Sequence, residues 1–386
     1  MVVNIDCRKG GTFLAIRSTN PANPGCNIRL LMPGCEQSDS SGPFTASFLN
    51  RWRGFATFRF MDWMDTNGSK QRQWSDRTTP QDASWSLKGV PVEIMVALCN
   101  RLKINPWFCM PHLASDDYVR RFAAAVRQGL DPSLKIYVEY SNEVWNSMFE
   151  QHRYAEQQAQ QLGLGPKDRL WEGAALFYAR RSVEMFGIWE EVFGDRTRLV
   201  RVIAWQAASG PSWTDNMLLA QQDTTSHCDV LAIAPYLSFM PSPNHKHLRS
   251  DEVAKWSVDH VLDEVQADAL AESIDWMRKQ KAVAGKYRLK LVCYEAGQHL
   301  VGVGSVENND QLTRLLISAN HHPRMGRIYS QYLDAWRELG GDLICLFSSI
   351  TQSSKWGSWG LLEGADQAGS PKFDAVMQWH QHHALH

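Results

Sequence analysis

Short apolar runs alternate with longer amphipathic stretches along most of this chain. The runs fall near residues 27–32 (NIRLLM), 55–61 (FATFRFM), 106–110 (PWFCM), 135–140 (KIYVEY), 199–205 (LVRVIAW), 229–234 (DVLAIA), 288–294 (RLKLVCY) and 342–347 (DLICLF). They are rich in β-branched and aromatic residues and too short for helices, so each predicts a buried strand. Helical patterns fill the intervals, at about 44–53, 91–102, 115–128, 147–163, 170–193, 212–222, 251–283, 309–338 and 372–383. Ser115 followed by Asp116 and Asp117 predicts an N-cap with an acidic first turn, and Ser250-Asp251-Glu252 repeats the pattern.

Eight strand–helix units in series predict an α/β fold with a parallel sheet, a (β/α)8 TIM barrel. An open doubly wound sheet is the alternative, but that fold often carries a glycine-rich phosphate loop after its first strand. Here the first run is followed by Pro33-Gly34-Cys35-Glu36, without that motif. The barrel is therefore expected over residues 27–386. Residues 1–26 form no such unit; Gly10-Gly11 between VVNIDC and TFLAIR reads as a β-hairpin extension. The long loops at 62–89, 236–250 and 348–370 all follow strands, which in a barrel puts them on the catalytic face.

Composition narrows the function. The chain is 44% hydrophobic and 21% charged, with a formal net charge of −1. That balance suits a globular protein with a neutral substrate and gives no electrostatic case for nucleic acid or a membrane surface. Sixteen tryptophans are the outlying count. Tryptophan offers a flat apolar face that suits the C–H face of a sugar ring, although core packing accounts for about half of them. The eight cysteines include no CxxC pair, so zinc-ribbon and thioredoxin readings fail. Cys109, Cys293 and Cys345 read as small core residues, and Cys26 and Cys35 could pair. No apolar run reaches the length of a transmembrane helix. The opening Met-Val-Val-Asn-Ile-Asp has no signal-peptide character. The protein is expected to be either cytoplasmic or secreted or periplasmic with its signal removed, and a polysaccharide substrate favours the second. A monomer is expected.

Two carboxylates carry the chemistry. Tyr137-Val138-Glu139-Tyr140-Ser141-Asn142-Glu143-Val144-Trp145-Asn146 begins as a strand and breaks into an Asn-Glu pair; Leu289-Lys290-Leu291-Val292-Cys293-Tyr294-Glu295 ends an apolar run with a second Glu. An ionised Glu at the end of a buried strand costs desolvation energy unless it is paired or used. The ends of the fourth and seventh predicted strands face each other across a barrel mouth. A facing pair of carboxylates is the machinery of glycoside hydrolysis, and a retaining enzyme needs them about 5–5.5 Å apart.

On these residues the chain resembles the clan A glycoside hydrolases, retaining (β/α)8 enzymes with an Asn-Glu motif after the fourth strand and a nucleophile Glu after the seventh. The resemblance covers roughly residues 27–386. It implies Glu143 as acid/base, Glu295 as nucleophile and Asn142 as a ligand of the sugar 2-hydroxyl. Arg59 matches the arginine that these families carry on the second strand, expected to hold Glu295 ionised and lower its pKa. His112 matches a histidine at the sugar-binding face, and Tyr236 the tyrosine that hydrogen-bonds the nucleophile. Trp356, in preference to Trp359, is expected as the aromatic floor under the sugar. Trp205 and Gln206 end the fifth run, and Trp63, Trp74 and Trp213 lie on other post-strand segments; packing accounts for each alone, with Trp205 carried forward as a sugar contact. Asp62 is either a sugar ligand or a partner of an arginine. Ala234 stands where many relatives have His, and Val144-Trp145 follow the Asn-Glu pair in place of the common Pro, so the match is to a divergent branch.

The implied activity is double-displacement hydrolysis of β-linked glycans, with cellulose and related β-glucans first, then mannan and xylan. It requires neither cofactor nor metal. No HExxH, GxSxG or Walker loop occurs. The rival readings are a non-catalytic carbohydrate-binding barrel and a metal-dependent barrel hydrolase with His112, Glu143 and Glu295 as ligands.

Overall fold

The computed structural model of this protein describes residues 15–25, 28 and 43–383. The chain divides into two compact units, Met1–Asn50 and Arg51–His386. In the first, residues 15–25 are exposed and turn once, the Asn20 side chain accepting from the Ala22 N–H at 3.0 Å. The expected strand at 27–32 (Ile28 apart), the expected hairpin at Gly10-Gly11 and the Cys26–Cys35 pair lie outside the described residues.

The second unit is built on strands β1 (Thr57–Arg59), β2 (Asn105–Met110), β3 (Ile136–Tyr140), β4 (Leu199–Ala204), β5 (Val230–Ile233), β6 (Leu237–Phe239), β7 (Lys290–Cys293), β8 (Gln298–Leu300) and β9 (Leu343–Ile344). Seven of them form one sheet in the order β1-β2-β3-β4-β5-β7-β9, every neighbour parallel, while β6 and β8 pair separately beyond the ends of β5 and β7. These seven occupy the second to eighth expected runs. Strands β2 to β5 are buried on both faces, which is why they read as continuous apolar runs rather than alternating ones.

The sheet curls. Five strand spacings of about 4.8 Å would hold β1 and β7 about 24 Å apart in a flat sheet. Instead Arg59 on β1 donates to Glu295, just past β7, at 2.8 Å. One buried layer inside the curl joins Met61, Trp107, Cys109, Val202, Ala204, Val230, Ala232, Val292 and Tyr294. Period-two alternation selects these residues, and it places Arg59 and Glu139 on the same inward face.

α1 (Ala46–Trp52) runs across the boundary between the units in the chain. Within the second unit, helices cover the outside of the sheet: α2 (Val92–Leu102), α3 (Asp116–Gly129), α4 (Glu150–Leu162), α5 (Leu170–Phe193), and further helices after β4, β6, β8 and β9. Ser115 caps α3 as expected, its hydroxyl accepting from the Tyr118 N–H at 3.2 Å. The helix buries Tyr118, Val119, Phe122, Ala123 and Val126, one stripe at helical spacing. Two expected helices are broken. The pattern at 251–283 resolves into Ser250–Val253 and a second helix from Val258. Ser250 is the first residue of its helix rather than the cap; Ser257 is the residue whose hydroxyl accepts from a helix N–H, that of His260. The pattern at 309–338 breaks at Pro323, which forces His322 into extended backbone and opens a new helix at its first position. Among the described residues no helix is long and apolar enough to cross a membrane.

Candidate active site

The inward-facing guanidinium of Arg59 organises the carboxyl ends of the strands. Its Nε and Nη2 donate to Glu139 Oε2 at 3.0 and 2.8 Å, Nη2 also to Asn142 Oδ1 at 2.9 Å, and Nη1 to Glu295 Oε1 at 2.8 Å. The group lies over the rings of Trp107 and Tyr294, 5.6 and 5.0 Å from their centroids. Three strands and two loops therefore meet on one cation. Glu139, at 1% exposure, had no expected role, yet its Oε2 also accepts from Trp107 Nε1 at 2.9 Å and Cys109 Sγ at 3.4 Å. A carboxylate inside an apolar run, on the parity of the inward face, was the available signal for it.

Asn142 is the hinge between this buried cluster and the mouth. Its Oδ1 faces Arg59; its Nδ2 donates to Asn67 Oδ1 at 3.1 Å. Gln151 on α4 closes the lattice by donating to the same Asn67 oxygen at 2.7 Å and to the Asn142 carbonyl at 2.8 Å. Neither Asn67 nor Gln151 was expected. The residues on either side of Asn142 are left-handed, Ser141 at φ 59° and Glu143 at φ 41°. Non-glycine residues hold such backbone only when neighbours over-determine it, and this lattice does so. It aims Glu143 at the mouth, where Oε1 accepts from Tyr294 Oη at 3.0 Å and Oε2 from Asn146 Nδ2 at 2.9 Å.

Glu295 is buried and held at both oxygens, Oε1 by Arg59 and Oε2 by the Tyr236 hydroxyl at 2.8 Å. Arg59 was expected to leave it with a lowered pKa. The balance runs the other way: burial pushes the Glu295 carboxyl up to about 7, with the charge of Glu143 adding to the rise and Arg59 and the Tyr236 hydroxyl opposing it. The physical reason is that Arg59 is shared. Two of its nitrogens already neutralise Glu139, so Glu295 feels part of one positive charge against full desolvation. Asp62 sits exposed at the rim, its carboxyl raised by desolvation and by Asp65 against the pull of Arg59.

The remaining expected residues separate. Tyr236 is in the cluster. His112 is buried at the end of β2, edge-on to Tyr154 at 5.3 Å, with Nδ1 unpartnered; burial lowers its pKa to about 4, so the ring is neutral. Among the described residues no three His, Cys, Asp or Glu side chains converge as a metal-ligand set. Trp356 is 59% exposed with Lys355 over its ring. Trp359, the less favoured of the two, packs on His299 at 4.7 Å and against Tyr236 at 5.5 Å, and is half-buried. Its backbone is fixed from behind: the Ser358 carbonyl accepts from buried Lys372 Nζ at 2.6 Å and from Gln298. Trp205 is 5% exposed, wedged between Trp145 and Trp213 at 5.1 and 5.5 Å, so it backs other rings and does not face a ligand.

No sequence family matches this chain, and no curated protein does. Solved structures do. A 4-O-α-L-rhamnosyl-β-D-glucuronidase from Fusarium oxysporum aligns over 84% of this chain and 68% of its own at 9% identity, with a TM-score of 0.51. An endo-β-1,4-mannanase from Thermotoga petrophila aligns over 86% and 77% at 12% identity with a TM-score of 0.40. The GH113 β-mannanase of Alicyclobacillus acidocaldarius aligns over 86% and 97% at 13% identity with a TM-score of 0.35. At 9% identity the likeness to the glucuronidase is one of fold alone, and it agrees with the curled parallel α/β sheet of a TIM barrel.

Proposed function

We propose that this protein is a retaining glycoside hydrolase, with Glu295 as nucleophile and Glu143 as acid/base. The observation that carries the reading is the joining of two carboxylates, remote in the chain, at one mouth. Tyr294, the neighbour of Glu295, donates to Glu143, and Glu143 raises Glu295 through its charge. In the first step a Glu295 oxygen bonds to the anomeric carbon as the glycosidic C–O bond breaks, and the proton on Glu143 goes to the leaving oxygen. In the second, Glu143 takes a proton from water as that water displaces Glu295. Arg59 and Tyr236 hold Glu295 so that each oxygen keeps a fixed partner throughout. Asn142 turns its amide towards the sugar 2-hydroxyl, and Trp359 rather than Trp356 supplies the aromatic face beside it.

The charge of the site favours a neutral sugar: Arg59 stands against Glu139, Glu143, Glu295 and Asp62. β-Glucans are the first substrates to try, then mannan and xylan. The test is turnover of aryl β-glycosides and of these polymers in the presence of chelator, with the product anomer followed by proton NMR. Net retention, loss of turnover in Glu295→Gln, and survival of Glu143→Gln on substrates with good leaving groups are the expected results. Sugar binding that persists in both variants, with no turnover in the parent, would favour the carbohydrate-binding barrel instead.

A further inference from the structure

Aromatic rings lead away from the mouth in a continuous row. Tyr294, which holds Glu143, meets Trp145 at 5.9 Å; Trp145 meets Trp205 at 5.1 Å; Trp205 stacks on Trp213 at 5.5 Å with 13° between planes; and Trp213 meets Trp171 at 4.8 Å. The row begins buried and ends open, for Trp171 is 45% exposed. Its place in the fold puts that open ring on the functional face. α5 runs into the start of β4, so its first turn, which carries Trp171, stands at the end of the barrel where the strands terminate. Trp145, Trp205 and Trp213 all follow strand ends on that same face.

We propose that Trp171 is a remote sugar-binding platform on the leaving-group side of the site, and that the substrate is an oligosaccharide or polysaccharide extending past Glu143 along this sector. The assignment of the leaving-group side rests on Glu143 being the acid. Unlike a singly exposed ring, Trp171 is the open end of a contiguous aromatic row, and it is such continuity that marks an interaction site. Its ring packs on Trp213, which in turn stacks on Trp205, so a sugar that settles on its free face meets a side chain already packed on one side, with less freedom to lose. Trp213 and Trp205 are positioning residues here: their faces are occupied by one another.

The test compares Trp171→Ala and Trp171→Phe with the parent on two probes, aryl β-monoglycosides and a panel of cellohexaose, mannohexaose and xylohexaose. Removal of the ring is expected to lower kcat/KM on the accepted hexasaccharide about tenfold, the size of loss seen when a contact tryptophan is truncated. It is expected to lower it less than twofold on the aryl glycosides, whose single aromatic aglycone ends before Trp171. Phe should restore most of the loss. Quenching of tryptophan fluorescence by the same hexasaccharides supplies an arm independent of turnover. Equal losses on both probes, no loss on either, or hexasaccharide affinity unchanged by Trp171→Ala would overturn the platform. A parent that binds hexasaccharide through Trp171 but never cleaves a glycoside would support the platform and sink the hydrolase reading.

Discussion

Two buried arginines lie on strands of this barrel, and each sits between two carboxylates. Arg201 on β4 faces outward to α5; Nη2 and Nε take both oxygens of Asp229 at 2.8 and 2.9 Å, and Nη1 takes Glu190 at 2.8 Å. Arg59 on β1 faces inward to Glu139 and Glu295. The difference is water. The carboxylates of Asp229 and Glu190 are 38% and 27% exposed, so solvent shares their charge. Glu139 and Glu295 have almost none, and one guanidinium cannot serve both fully. A clamp on the outside of the sheet holds two elements together. Inside the sheet, one guanidinium between two buried carboxylates leaves the Glu295 carboxyl raised by burial, the kind of perturbation that clusters at functional sites.

The largest effect that separates the two arginines is on turnover. Glu295→Gln should abolish activity, by about 10^4-fold or more if Glu295 is the nucleophile, while Arg201→Met should leave activity per folded molecule unchanged. Stability should move in opposite directions. The Glu295 carboxyl is raised in the fold from 4.5 to about 7. Its contribution to stability is therefore fullest below pH 4.5, declines as pH rises to about 7, and stays low above that. Urea denaturation should find Glu295→Gln more stable than the parent at pH 8, by up to about 3 kcal/mol, with the gap closing near pH 4.5. Arg201→Met should be less stable by about 2 kcal/mol, under the cost of breaking a fully enclosed pair because its partners reach water.

A smaller effect is in the pH profile. The proposed mechanism needs Glu295 ionised and Glu143 protonated together, so kcat/KM should be bell-shaped, with limbs that belong to the pair. Its rising limb should follow ionisation of Glu295, raised to about 7. Tyr236→Phe removes a donor to the ionised form and should shift that limb upward by about one to two pH units, as a hydrogen bond to a charged group is worth about 1.5–3 kcal/mol. The smallest contrast lies in the loop after β9. Trp359→Ala should raise KM several-fold, whereas Trp356→Ala should leave kcat and KM near parental values on short substrates.

Much of the sheet was legible because buried parallel strands leave long apolar runs, and the Ser115 cap and the two distant Glu residues were legible because each breaks such a run at a strand boundary. Glu139 follows from the same burial argument but lies inside a run, where a pattern of apolar neighbours hides it. The upward pull on the Glu295 carboxyl is hidden for the same reason: without Glu139, Arg59 looks like an undivided counter-ion. Trp356 and Trp359 lie in a segment of Gly and Ser that has no period, so nothing local says which ring turns inward. Trp171 is the second residue of a helix, and only the chain's direction through the barrel reveals which end of the molecule it occupies.

The left-handed backbone at Glu143 has an evolutionary consequence. Glycine adopts that conformation without steric penalty, and a single base change converts either Glu codon to a Gly codon. The mutation that relaxes this turn is therefore also the one that erases its carboxylate. A library of this protein sorted for yield or solubility alone would weigh that exchange only by the hydrogen bonds from Tyr294 and Asn146, and should be screened for hydrolysis in each round if the proposed acid/base is to be kept.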